Sequence, residues 1–86
     1  MSLELRAPKV VDEFAEFIAR RPSDEEILNF HASEAVQNRV SQLLAKNRSV
    51  GLTDDEEREM DEYEYIEHLV AMLKAKTQLR IQGKLA

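Results

Sequence analysis

His68 is the residue whose neighbours most invite a chemical reading. Glu64 lies four positions before it and Glu67 immediately before it. On a helix, Glu64 and His68 share a face. A di-carboxylate metal bundle needs Glu and Glu-x-x-His repeated on several inward-facing helices. Position 65 is Tyr rather than Glu, so that spacing fails here. The second histidine, His31, falls in a short connection. The pair therefore reads as a surface contact between Glu64 and His68, with no metal expected. Cysteine is absent, which excludes disulfides, thiolate zinc sites and cysteine nucleophiles. Gly51 and Gly83 stand alone, so there is no glycine-rich phosphate loop. No Ser-His-Asp arrangement can be argued. The expectation is a protein with no catalytic residues and no cofactor.

Two other constellations point to binding. The first is Gln37, Asn38, Arg39, Gln42, Lys46 and Arg48, all of types that read bases or phosphates. A short helix, a turn and a longer helix over 33–48 would present them as a DNA-reading helix-turn-helix. Against this, the connection His31-Ala32 lacks the usual Gly, and the net charge is −5. Phosphate neutralisation supplies most nucleic-acid affinity, so an acidic body disfavours that partner. Arg39, Lys46 and Arg48 can equally pair with acids elsewhere in the chain. The second constellation is Tyr65, Leu69, Met72 and Leu79, an apolar row that leaves room for a partner. Tyr63 and Tyr65 read as core or interface anchors rather than catalytic phenols.

These rows depend on the elements that carry them. Val10, Val11, Phe14, Phe17 and Ile18 follow helical spacing, with Asp12, Glu13 and Glu16 pointing away. Pro8 suits the first turn and Pro22 stops the helix, giving a span of 8–20. Ser23-Asp24-Glu25-Glu26 is a capping box opening a short helix over 24–31. Ser33-Glu34 begins a third helix, with Val36, Val40, Leu43 and Leu44 on one stripe, ending near Asn47 or Arg48 before Gly51. Thr53-Asp54-Asp55-Glu56 is a second capping box, and nothing then breaks the helix until Gly83.

The fourth helix, 54–82, would be about 43 Å long at the standard rise. A compact chain of this length has a radius of gyration near ~12 Å, so the helix outruns the body its own chain can build. Tyr63, Ile66, Val70, Leu73, Thr77 and Ile81 line one face, and Tyr65, Leu69, Met72 and Leu79 a second. Together they span about 200°, against a usual core-facing stripe of ~100° or somewhat more. Phe14, Phe30 and Leu43 are expected in the chain's own core, and the second face against a partner.

Charge is unevenly placed along the same helix. Residues 54–67 hold nine acids and one base, whereas 68–86 hold four bases and no acid. This suits the helix dipole and a solvated face. The acidic run also fits a docking surface for a basic partner, and antiparallel pairing of two copies would set the acidic run against the basic one.

The chain has 86 residues, of which 43% are hydrophobic and 34% charged. One helical domain over 1–86 accommodates this, with 1–7 flexible and 83–86 frayed. The fold class expected is all-α: three short helices packed on a long C-terminal one and completed by dimerisation. A domain this small has a marginal core, and without disulfides or metal the remaining staple is self-association. No apolar run approaches the ~18 residues of a membrane span. The segment from Met1 to Arg6 lacks an apolar signal core, so a cytoplasmic protein is expected.

From Pro22 to Lys76 the chain shows Ile27, Leu28 and Phe30, then Arg39 with Leu43 and Leu44. Asn47, Arg48, Leu52, Thr53, Glu56 and Glu57 follow, then Asp61, Tyr63, Glu67, His68, Leu69, Leu73, Lys74 and Ala75. This pattern resembles a family of short bacterial helical proteins of unassigned activity, frequent in cyanobacteria. Met60 stands where that pattern has Leu, and Gly51 is displaced by one position. The resemblance implies genes near nuclease-like neighbours, and hence an antitoxin-like or accessory role without catalytic residues. The function expected is thus a non-enzymatic, helix-mediated interaction protein that forms a homodimer and restrains a protein partner. A DNA-binding regulator acting through 33–48 is the alternative.

Overall fold

A computed structural model of the chain describes residues 9–84. Among these the secondary structure is helical throughout: α1 (Val10–Ala19), α2 (Asp24–Leu28), α3 (Glu34–Ser49) and α4 (Asp54–Ile81). Each of the first three contacts α4. Pro8 and the expected flexible segment 1–7 lie outside the described residues.

The two capping boxes form as their residue types dictate. Ser23 Oγ accepts from the Glu26 N–H at 3.2 Å, and Glu26 Oε1 accepts from the Ser23 N–H at 2.9 Å. Thr53 Oγ1 and Glu56 Oε1 repeat the exchange at 3.2 and 2.9 Å. Ser33 caps α3 by accepting from the Val36 N–H at 3.2 Å. Its third helical position is Val36, which cannot reach back to the cap's own N–H. Glu13 of α1 supplies that acceptor instead. Its Oε1 takes the Ser33 N–H at 2.9 Å, and its other oxygen takes the Ser33 hydroxyl proton. Glu13 thus faces α3 rather than solvent, contrary to the expectation from helical periodicity. Periodicity cannot see a capping partner twenty residues upstream.

α2 stops at Leu28, short of the expected 31. Asn29 closes the turn by donating from its side-chain amide to the Glu25 carbonyl at 2.9 Å. α3 ends at Ser49, and beyond its C-cap Val50 the chain turns at Gly51, whose φ of +86° lies in the left-handed region open to glycine. At the end of α4, Gly83 takes φ +73°. The Lys84 N–H reaches the Leu79 carbonyl at 2.9 Å and the Gly83 N–H reaches the Arg80 carbonyl at 3.0 Å. This is a Schellman cap. Gly83 and Lys84, the first two residues of the segment 83–86 expected to fray, are hydrogen-bonded to the helix end; residues 85 and 86 lie outside the described residues.

Val10, Ala32, Val36, Ile66 and Val70 form the buried cluster, with Phe14, Phe30, Val40, Tyr63 and Leu69 packed around it. Leu43 is 1% exposed, as expected of a core residue. Phe30 meets Phe14 edge-on at 5.7 Å and Phe17 at 4.5 Å, so the α2–α3 connection is pinned to α1 by aromatic contact. Between Val10, Val36, Val40, Leu43 and Tyr63 the remaining space is about 20 Å³, room for one water at most.

The radius of gyration is 15.4 Å and the extents are 48 × 31 × 19 Å. A compact body of this length would have a radius near ~12 Å. The 28 residues of α4 set the long dimension. Three ties run along it. Near its start, Lys46 and Arg39 of α3 hold Glu56 and Glu59. At its end, Arg80 holds Asp24 of α2. α4 is therefore tied to its own chain near both ends, its buried residues run from Ile66 to Thr77, and Ile81, expected on the core-facing row, is left 51% exposed.

The caps can be tested through stability. Thr53→Ala should cost ~1 kcal/mol, since one orphan N–H loses its acceptor. Thermal melting should show this as a midpoint lowered by roughly 4–8 °C. Glu13→Ala leaves the Ser33 N–H without its acceptor and should cost about 1–3 kcal/mol. Glu16→Ala, at an exposed position on the same helix, should stay within about 0.5 kcal/mol. Equal midpoints for the two variants would remove Glu13 from the capping of α3.

Candidate functional site

α4 carries two apolar rows of different fate. Ile66, Val70 and Thr77 are buried, and Leu73 is half-buried against the body. Tyr65, Met72 and Leu79 remain 62%, 41% and 39% exposed. Seven-residue spacing keeps these three nearly in line, drifting about 20° per step. The exposed row lies roughly 140° around the helix from the buried one at 100° per residue. It extends about 21 Å along the axis at the standard rise. Ala75, also exposed, adds a small apolar residue between Met72 and Leu79.

Leu69 does not belong to this row in the way sequence spacing suggested. It sits between the rows on the helical wheel and packs against the buried cluster. Of the four residues expected at a partner interface, the structure thus brings Tyr65, Met72 and Leu79 together on an open face and draws Leu69 into the chain's own core. The two tyrosines likewise part company. Tyr63 is half-buried, and burial first, then the nearby Glu67 charge, pushes its phenol pKa upward. Tyr65 stands outward.

The polar residues of α3 are divided too. Arg39 makes a two-pronged contact with Glu59, at 2.8 Å from Nε and 2.9 Å from Nη2. That hydrogen bonding raises the Arg39 pKa further. Lys46 Nζ donates to both oxygens of Glu56 at 2.7 and 2.9 Å. Gln37 donates from its side-chain amide to the Ala32 carbonyl at 2.7 Å. Asn38, Gln42 and Arg48 are exposed. Three of the six candidate nucleic-acid contacts are therefore spent inside the chain. The two cations among them neutralise the start of α4, an outcome the acid-rich opening of that helix made legible.

His68 and Glu64 are both exposed, and no ion pair joins them among the described residues. Among the described residues, no three His, Asp or Glu side chains converge as a metal-binding group would require. Nor, among them, is any helix long and apolar enough to cross a membrane. The Asp24–Arg80 tie has no local sequence signal: its partners lie 56 residues apart and only the fold joins them. Arg80 holds the Asp24 carboxyl below its ordinary range, chiefly through that hydrogen bond.

Glu56 is the carboxylate held furthest below its ordinary range. The Lys46 ammonium and the Thr53 N–H, in that order, hold its pKa at about 2 instead of 4.5. A carboxylate with a lowered folded pKa stabilises fully above its unfolded value and loses that contribution as pH falls toward the folded one. The Glu56 contribution should therefore fade between about pH 4.5 and 2. Glu56→Gln preserves a capping-box residue while removing the charge. Acid titration followed by circular dichroism should show Glu56→Gln less stable at pH 7, with the gap to the parent chain closing across that window. A gap that stays constant to pH 2 would separate the charge from stability.

Compared with models of protein families, with characterised proteins and with solved structures, the chain matches none.

Proposed function

We propose that this chain is a non-enzymatic interaction protein that works through the outer face of α4 and associates with itself. One observation carries the reading. Tyr65, Met72 and Leu79 form a line of large apolar side chains on a helix whose opposite side already supplies the chain's own core. An exposed apolar row that the chain's own core does not use is a candidate binding surface. The elongated body supports it as well, because a small core gains from a second subunit. The resemblance of residues 22–76 to short bacterial proteins encoded near nuclease-like genes extends the proposal to an antitoxin-like or accessory role, in which the protein restrains a neighbouring protein.

DNA reading through α3 ranks second. It retains Asn38, Gln42 and Arg48, and engaging Arg39 or Lys46 would break ion pairs that hold α3 to α4.

Sedimentation at micromolar concentration should give about twice the 9.9 kDa chain mass. Met72→Glu should return a monomer that keeps its helical circular dichroism, because Met72 lies away from the buried row. A charge inside an apolar contact without a partner costs several kcal/mol, enough to dissociate a short seam. A parent chain that sediments as a monomer at hundreds of micromolar would sink the self-association reading.

A further inference from the structure

We propose that the groove between the second half of α3 and the start of α4 docks a basic amphipathic helix of a partner protein. The cations of that helix would lie on an acidic wall and its apolar side chains on a leucine-rich floor. The groove shares no lining residue with the Tyr65–Leu79 row, and the inference does not depend on self-association.

The groove holds about 300 Å³ of open space, against about 20 Å³ within the core. Among the described residues, neither α1 nor α2 lines it. Its floor is Leu43, Leu44, Leu52 and Met60. Leu43 belongs to the chain's own core, but Leu44 is 44% exposed and Leu52 and Met60 are half-buried. Helical spacing put Leu44 on the core stripe of α3; the fold leaves it open to the groove instead.

The α4 wall is Glu57, Asp61 and Glu64. Steps of four and three residues set them on one face, over about 10 Å of helix axis. All three are exposed, and among the described residues none is in an ion pair. Among the described residues, no Lys or Arg lines the groove. Lys46 of α3 is turned to Glu56.

This composition selects the occupant. An apolar surface entering alone would take the carboxylates out of water without partners, which is strongly unfavourable. A bare polycation would leave the floor wet. A helix with cations three and four positions apart matches the wall, and its adjoining apolar face meets Leu44 and Met60. A second copy's α4 offers no such row. Its Lys74 and Lys76 are two positions apart and so do not share a face. Its Arg80 is paired with Asp24, and Lys84 lies past the helix end. The occupant is therefore a foreign helix.

The test uses the full chain and a dye-labelled helical peptide of about four turns. The peptide carries three lysines at three- and four-residue spacing beside a row of leucines. Fluorescence anisotropy at about 0.1 M salt should show saturable binding, weakened at least several-fold at about 0.5 M as screening sets in. Glu64→Lys should weaken binding about tenfold, because a like charge then faces the peptide's lysines. Leu44→Gln should weaken it several-fold through the floor. Both positions are exposed, so helical circular dichroism should be unchanged. Glu16→Lys makes the same charge change on an exposed position of α1, and Met72→Glu alters the outer row. Each should shift the affinity by less than about twofold, because charges more than about 10 Å away are screened at this salt. Spermidine, a polycation without an apolar row, should not displace the peptide at equal concentration.

Absence of saturable binding would overturn the inference. So would equal weakening by Glu16→Lys and Glu64→Lys, since the attraction would then be to net charge alone. Binding abolished by Met72→Glu and untouched by Glu64→Lys would seat the peptide on the outer row and overturn it too. Displacement by spermidine would remove the amphipathic helix as occupant. Sedimentation reads self-association separately from all of these.

Discussion

Burial of one side of α4 is the constraint on which the rest of the molecule depends. α1, α2 and α3 each meet that side, and Ile66, Val70 and Thr77 are the line along which they meet it. None of the three could hold its place alone. α2 has five residues, well below the length at which an isolated helix persists in water. It is stabilised by its capping box and by its contact with α4. A substitution on the inner side of α4 would therefore loosen all three packing partners at once, whereas one on the outer side touches none of them.

Polar groups are arranged to serve that contact. Where the start of a helix meets a neighbour, a specific residue of that neighbour answers it. Glu13 answers the start of α3, and Lys46 and Arg39 meet the acids that open α4. These are half-buried pairs with good geometry. Their value lies less in net stability than in fixing which helix lies against which, since a register shift would leave charges without partners. The same commitment keeps α3 from presenting a full basic face. A helix whose cations are needed to hold its own neighbour has few left for phosphate.

Much of this was legible in the sequence, for reasons that differ by element. The capping boxes at Ser23 and Thr53 and the glycines at 51 and 83 act within a turn, so local types sufficed to place helix ends within a few residues. The length of α4 and the surplus of its apolar arc were likewise countable. What could not be read was contact between distant segments. Glu13 looked like a solvent-facing acid because periodicity ranks residues by side and knows nothing of a cap twenty residues away. A closer question, which group satisfies the Ser33 N–H when Val36 cannot, would have predicted a remote acceptor without naming it. Leu69 failed for a related reason. It lies at the boundary of two faces, and only the actual placement of the packed helices decides which side of the boundary is wet.

The distribution of charge on α4 then poses a question that the single chain does not answer. Interaction of acids with a helix dipole is confined to the first turn, which explains Asp54 to Glu57. Pairing with α3 explains Glu56 and Glu59. Asp61, Glu62, Glu64 and Glu67 lie beyond both effects, in the second to fourth turns. A row of like charges there repels itself and lowers the stability of the helix that carries it. The segregation of acids before residue 68 and bases after it therefore goes further than folding of one chain requires. Mixing the two signs along α4 would have given stabilising pairs four residues apart at no cost to the core.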